Sequence, residues 1–147
     1  MKKILPKIVG TLMVCIAVFL FNSCIYKKYL ADVDPVVVAE LERLGVVPTA
    51  VAEVKQLEIS DLDAGGTGTW WGYFGAVCEE GGYDLYPYAG KTVTMTAVDI
   101  KGTCQDEKIR IYVLSEEDKI ACAYLTFREG SSGAPGVWPI NSAECEY

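Results

Sequence analysis

Residues 92–127 read TVTMTAVDIKGTCQDEKIRIYVLSEEDKIACAYLTF and contain the pattern that most constrains the architecture. Three runs rich in β-branched and aromatic residues are typical of strands. The breaks between them carry turn-forming residues, and connections this short join antiparallel neighbours. The segment therefore predicts an antiparallel meander with strands at Thr92–Lys101, Lys108–Ser115 and Lys119–Phe127.

Apolar and polar side chains alternate in the first two of these runs. Because successive side chains of a strand point to opposite faces, this alternation indicates a sheet with one face covered. We expect helices to provide that cover. The alternating apolar positions are Val93, Met95 and Ala97 in the first run, and Ile109, Ile111 and Val113 in the second.

Two helices and a further strand are predicted upstream of the meander. Asp34-Pro35 pairs an N-cap residue with a proline at the first helical position, which predicts a helix over about 35–44. Ala50–Ile59 alternates loosely as a strand, and Trp70–Glu80 predicts a second helix closed by two glycines. The expected fold is α+β, with two short helices packed on one face of an antiparallel sheet of about four strands.

The N-terminus has the features of an export signal. Three lysines precede an unbroken apolar run of 14 residues from Ile8 to Phe21, and the small residue Ser23 follows shortly after. At 1.5 Å per residue the run spans about 21 Å as a helix, whereas a bilayer core measures about 30 Å. We therefore expect a signal peptide over residues 1–23.

Cys24 is the predicted site of membrane attachment. The four residues before it, Leu20–Ser23, resemble the lipobox of bacterial lipoproteins, although Phe and Asn at its second and third positions are unusual there. Two acyl chains on this thiol would anchor the protein stably. The prediction is a lipid-anchored tether over 24–33, with a single α+β domain over 34–147, on the extracytoplasmic face of the bacterial cell membrane. An uncleaved span over 4–25 and ordinary secretion are the alternatives.

The exported part of the chain is strongly acidic. The whole chain carries 13 basic and 20 acidic side chains, and three of the basic ones lie in the signal, so 10 against 20 remain, a net charge of −10. Such a surface repels phosphate backbones, which argues against nucleic acid as a partner. The chain has no histidine and therefore lacks the usual general base and the commonest metal ligand. We expect no cofactor and no metal.

Four segments resemble a small domain-of-unknown-function family that occurs in exported proteins and lipoproteins of Gram-positive bacteria. The likeness covers about two-thirds of the exported part. It implies helices plus a sheet, and it implies no activity and no functional residues. The segments are LERLG at Leu41–Gly45, EVKQLEI at Glu53–Ile59, YDLYPYAGKTV at Tyr83–Val93 and YVLSEEDKIACAYL at Tyr112–Leu125.

Four cysteines remain in the domain, and an even number in an exported chain indicates disulfides. Cys122 is expected in mid-strand, near the level of Tyr112, where a helix across the sheet would bring Cys78 above it. Cys104 lies in a turn that the tail could reach with Cys145. Cys78–Cys122 and Cys104–Cys145 are therefore the favoured pairs. The other two pairings and free buried thiols stay open.

Trp70, Trp71 and Tyr73 belong to the densest aromatic cluster of the chain. Such residues are usually the core of a helix packed on a sheet, but exposed ones stack on sugars or anchor protein partners. Two adjacent tryptophans cannot both face inward from one helix. These three residues are the candidate partner surface.

The sequence favours a membrane-anchored, non-enzymatic binding module, monomeric, with an envelope protein or glycan as its partner. The chain contains neither a GxSxG motif nor a histidine, so it lacks the usual residues for nucleophilic catalysis. Two alternatives stay open. One is a carboxylate-based hydrolase acting on envelope polymers, and two carboxylates in one pocket would support it. The other is a structural accessory subunit of an envelope complex.

Overall fold

The computed structural model describes residues 28–60, 70–130 and 136–147. The elements that lie wholly within these ranges are two α-helices, one short 3₁₀ helix and six strands. Their bounds are α1 Pro35–Leu44, β1 Pro48–Glu58, α2 Trp70–Glu80, the 3₁₀ helix Tyr86–Tyr88, β2 Thr92–Cys104, β3 Glu107–Glu116, β4 Lys119–Phe127, β5 Val137–Pro139 and β6 Cys145–Glu146.

The strands form one antiparallel sheet in the order β1-β2-β3-β4-β5, and β6 pairs with the far end of β2. The predicted α+β class and meander are confirmed. The sheet has six strands instead of about four, because the tail adds two short ones. Thr103 and Cys104 of β2 extend beyond the end of β1, and this extension gives β6 its pairing site.

The local signals for α1 act as expected. The Asp34 carboxylate accepts a hydrogen bond from the Val36 backbone N–H at 2.9 Å, and Pro35 occupies the first turn. Gly45 ends the helix in the left-handed conformation, at φ 70°. Val37 and Leu41, one turn apart, are buried against the sheet.

The two helices lie on opposite faces of the sheet, so the expectation that they share one face is wrong. Val37 and Leu41 of α1 belong to one core cluster, whereas Val77 and Cys78 of α2 belong to another. We define the first face by the paired residues Val98, Ile111 and Leu125, and the second face by Met95, Leu114 and Cys122.

The strand register explains this difference. Ala97 lies opposite Tyr112, and therefore the apolar residues that alternate in β2 and those that alternate in β3 point to different faces. Each central strand carries apolar side chains on both faces, and both faces need cover. Tyr83 follows α2 and packs against both clusters, and it joins the two helical layers.

Part of the expected tether packs onto the domain. Leu30 is buried in the first core cluster, and Tyr29 and Val33 pack against it. Cys24 and the export signal lie outside the described residues. Within the described ranges, no helix is long and apolar enough to cross a membrane.

Two disulfides connect the elements. Cys78 of α2 bonds Cys122 of β4, with a Cα–Cα distance of 5.5 Å, and Cys104 bonds Cys145, at 4.2 Å. These are the two pairs favoured from the sequence. Cys122 lies opposite Leu114, two residues along β3 from Tyr112, and a one-residue register shift between Leu114 and Ser115 accounts for half of this offset.

Candidate functional site

An exposed aromatic surface lies on α2, and we define it by Trp70 and Tyr73. Trp70 is 78% exposed and Tyr73 is 38% exposed. Large apolar side chains left together in water are informative, because burying each of them would stabilise the protein by about 1.5–3 kcal/mol. Residues three apart are neighbours on a helix surface, so the two side chains form one patch.

Trp71, the third predicted partner residue, lies elsewhere. It is half-buried and packs against the second core cluster. The two adjacent tryptophans therefore point in different directions, one toward the sheet and one toward solvent. The candidate partner surface narrows to Trp70 and Tyr73.

Stacked rings hold this surface on the sheet. Phe74 packs on Tyr124 of β4 with a centroid separation of 5.0 Å, and Tyr124 stacks on Tyr112 at 5.3 Å. Trp70 stacks on the outer side of Phe74 at 6.3 Å. Burial raises the pKa of Tyr124, so its hydroxyl stays protonated in neutral solution. The exposed tryptophan thus lies against Phe74, which in turn packs on the buried Tyr124, and these contacts limit its freedom.

A pocket of about 360 Å³ lies between α2 and the 3₁₀ helix. Its lining was not predicted from the sequence. Asp84 and the 3₁₀ helix Tyr86–Tyr88 lie in a segment whose sequence indicates only a loop between α2 and β2. The fold brings this segment close to Glu79. The lining residues are Gly75, Glu79, Tyr83, Asp84, Leu85 and Tyr86.

Hydrogen bonds fix one wall of this pocket. The Tyr83 backbone N–H donates to the Cys78 carbonyl at 2.9 Å and closes the end of α2. The Asp84 carboxylate accepts from the Tyr86 backbone N–H at 3.1 Å and begins the 3₁₀ helix. The wall is therefore built from a helix end and a turn, both held by backbone geometry.

A polar network ties the same wall to α1. The Tyr83 hydroxyl donates a short hydrogen bond to the buried Glu40 carboxylate, and Arg43 pairs with Glu40 at 2.6 Å. The hydrogen bond from Arg43 holds the pKa of Glu40 below its ordinary value, and burial raises the pKa of Tyr83. Glu40 therefore stays charged and Tyr83 stays protonated, which keeps the ring in place.

A second charged cluster is structural. Asp99 is buried on the second face, where Arg110 lies 2.8 Å and Arg128 lies 2.7 Å from its two carboxylate oxygens. Each oxygen has a guanidinium partner, so the carboxylate is satisfied. Residues 28–60, 70–130 and 136–147 contain no group of three or more His, Cys, Asp or Glu side chains that could hold a metal ion.

Comparison with protein-family models, curated proteins and solved structures finds no match for this chain. The resemblance to the domain-of-unknown-function family of exported proteins stays a prediction from its four segments.

Proposed function

We propose that this protein is an extracytoplasmic module, held on the bacterial cell membrane through lipid on Cys24, that binds a protein or glycan of the cell envelope. The charged start, the apolar run and Ser23-Cys24 support the anchor. The 78% exposure of Trp70, on a helix that packs into the core through Val77 and Cys78, carries the proposal of binding.

The aromatic surface has the properties of a binding hot spot. Tryptophan and tyrosine are enriched among the few residues that dominate interfaces, where truncation costs about 2 kcal/mol or more. The Cys78–Cys122 bond and the contact between the Phe74 and Tyr124 rings fix α2 before any partner arrives. A preorganised surface loses less entropy on binding and so binds more tightly.

The binding proposal is tested by co-purification from native membranes with the Trp70→Ser variant. Val54→Ser is the matched control, because Val54 is 55% exposed and lies on β1, away from α2. We expect the envelope component recovered with wild type to be lost with Trp70→Ser and kept with Val54→Ser. Equal recovery with both variants would show that the aromatic surface does not bind it.

The anchor is tested separately by Cys24→Ser. This variant should leave the membrane fraction or accumulate as an uncleaved precursor, because serine has no thiol to receive diacylglycerol. A variant that is processed and fractionates like wild type would exclude lipid on Cys24 and favour an uncleaved span or secretion.

One observation favours the hydrolase alternative, namely that Glu79 and Asp84 line the same pocket. Two carboxylates can serve as acid and base or as acid and nucleophile on a glycan. Purified protein that cleaves an envelope polymer, and loses this activity in both Glu79→Gln and Asp84→Asn, would establish the hydrolase. A structural accessory subunit would instead co-purify with its complex regardless of Trp70→Ser.

A further inference from the structure

The pocket between α2 and the 3₁₀ helix has a lining suited to a positively charged ligand. Its volume of about 360 Å³ is within the range of small-molecule sites. Two lining residues are carboxylates, Glu79 and Asp84, two are tyrosines, Tyr83 and Tyr86, and none of the lining residues is lysine or arginine. The nearby Arg43 reaches the Tyr83 hydroxyl at 3.1 Å, but its guanidinium is paired with Glu40.

Contacts within the fold hold part of the pocket lining in place. Gly75 and Leu85 are buried and form its inner part. The Cys78–Cys122 bond holds the turn of α2 that carries Glu79. Tyr83 is fixed through Glu40, whereas Tyr86 is 50% exposed at the rim.

This combination of groups matches an organic ammonium ion. The face of an aromatic ring carries negative potential that attracts a cation, and carboxylates add charge attraction. A bare divalent metal would require more oxygen ligands than two carboxylates provide, usually six or more. An ammonium ion surrounded by carbon atoms instead uses both the rings and the charges.

We propose that this pocket binds an organic ammonium ion, with the rings of Tyr83 and Tyr86 against the cation and the carboxylates of Glu79 and Asp84 supplying the opposite charge. At 100° per residue, Glu79 lies about half a turn around α2 from Trp70. The pocket is therefore separate from the aromatic surface, and its test does not depend on the proposed function.

The probe is choline, compared with its neutral isostere 3,3-dimethylbutan-1-ol. Saturation-transfer NMR is recorded on the full chain in a detergent that has no ammonium group, at low and high salt. We expect saturation transfer to choline that weakens with salt, and at least a fivefold weaker signal from the isostere. Equal transfer to both probes, or none to choline up to about 50 mM, would overturn the proposal.

Matched variants locate the site. Glu79→Gln and Tyr86→Leu should each weaken choline binding between about twofold and fivefold, the range for one cation–π or charge contact at an exposed site. Glu80→Gln removes the same charge from the neighbouring residue, which does not line the pocket, and should bind choline like wild type. Loss of affinity in Glu80→Gln equal to that in Glu79→Gln would assign the binding to general surface charge and would also overturn the proposal. Circular dichroism confirms that each variant is folded.

Discussion

Removal of the Cys104–Cys145 bond by a double alanine substitution should destabilise the domain through its unfolded state. The two residues are 41 apart in sequence, so the bond closes a loop of about 42 residues. The chain-entropy relation then gives an entropy loss of about 13 cal/mol/K, or about 4 kcal/mol at 25 °C. Alanine suits this substitution because Cys104 is fully buried and a hydroxyl there would need a partner.

Guanidinium unfolding followed by circular dichroism measures this effect. We expect a native spectrum, a lower free energy of unfolding and a steeper dependence on denaturant, because the uncrosslinked unfolded chain exposes more surface. A loss below about 1 kcal/mol would refute the entropic reasoning. Four free thiols in wild type, found by non-reducing peptide mapping, would refute the pairing itself.

The Cys78–Cys122 bond provides a comparison. Its separation of 44 residues gives nearly the same entropic contribution, about 4 kcal/mol. This bond also fixes α2, which carries the aromatic surface. Alanine at both positions should therefore reduce partner recovery, whereas the double variant at Cys104 and Cys145 should keep it. Equal recovery with both double variants would show that binding does not require α2 to be fixed.

Three further predictions concern local structure. Asp106→Gly should raise the free energy of unfolding by about 0.5–1 kcal/mol, because Asp106 has φ 66° in the β2–β3 turn and glycine adopts a positive φ without strain. Asp118→Gly, at a position without a positive φ, should instead lower the free energy of unfolding, and the opposite order of the two variants would contradict the turn geometry. Gly102→Ala should lower the free energy of unfolding by about 1–3 kcal/mol, because a Cβ there would lie 2.5 Å from the carbonyl oxygen of Glu146. Thermal or denaturant unfolding measures this change, and an unchanged stability would mean that β6 is not docked on β2. Because Glu40 has a lowered pKa, its contribution to stability is present above its unfolded-state pKa and is lost as the pH falls through its folded-state pKa. Glu40→Gln should therefore reduce the loss of stability below about pH 5 by about 1 kcal/mol or less. The free energy of unfolding is measured from pH 3 to 7, and a pH dependence identical to that of wild type would contradict this.

Local signals in the sequence predicted most of the fold. The N-cap and proline of α1 and the two-residue turns between strands act over a few residues, and such patterns can be recognised directly. The faces of the sheet could not be assigned in this way. They depend on which residues lie opposite each other, and one bulge or a shift by one residue moves a side chain to the other face.

The candidate site was predicted only in part. Helix geometry alone showed that the adjacent tryptophans must diverge, but it did not show which of them faces solvent; the structure assigns Trp70 to the surface and Trp71, half-buried, to the second core cluster. The pocket was missed because its wall comes from the connection after α2. Nothing in the local sequence indicates that Asp84 lies beside Glu79, since the Tyr83 contacts and the disulfide create that proximity.

Oxidative footprinting of Trp70 tests most directly the claim that the aromatic surface binds an envelope component. Hydroxyl-radical labelling is compared by mass spectrometry between the protein in native envelopes and the purified full chain, with the 41% exposed Tyr147 as an internal reference. The proposal predicts that Trp70 is labelled strongly in the purified chain and is protected in the envelope, while Tyr147 is labelled equally in both. Equal labelling of Trp70 in the two preparations would contradict it.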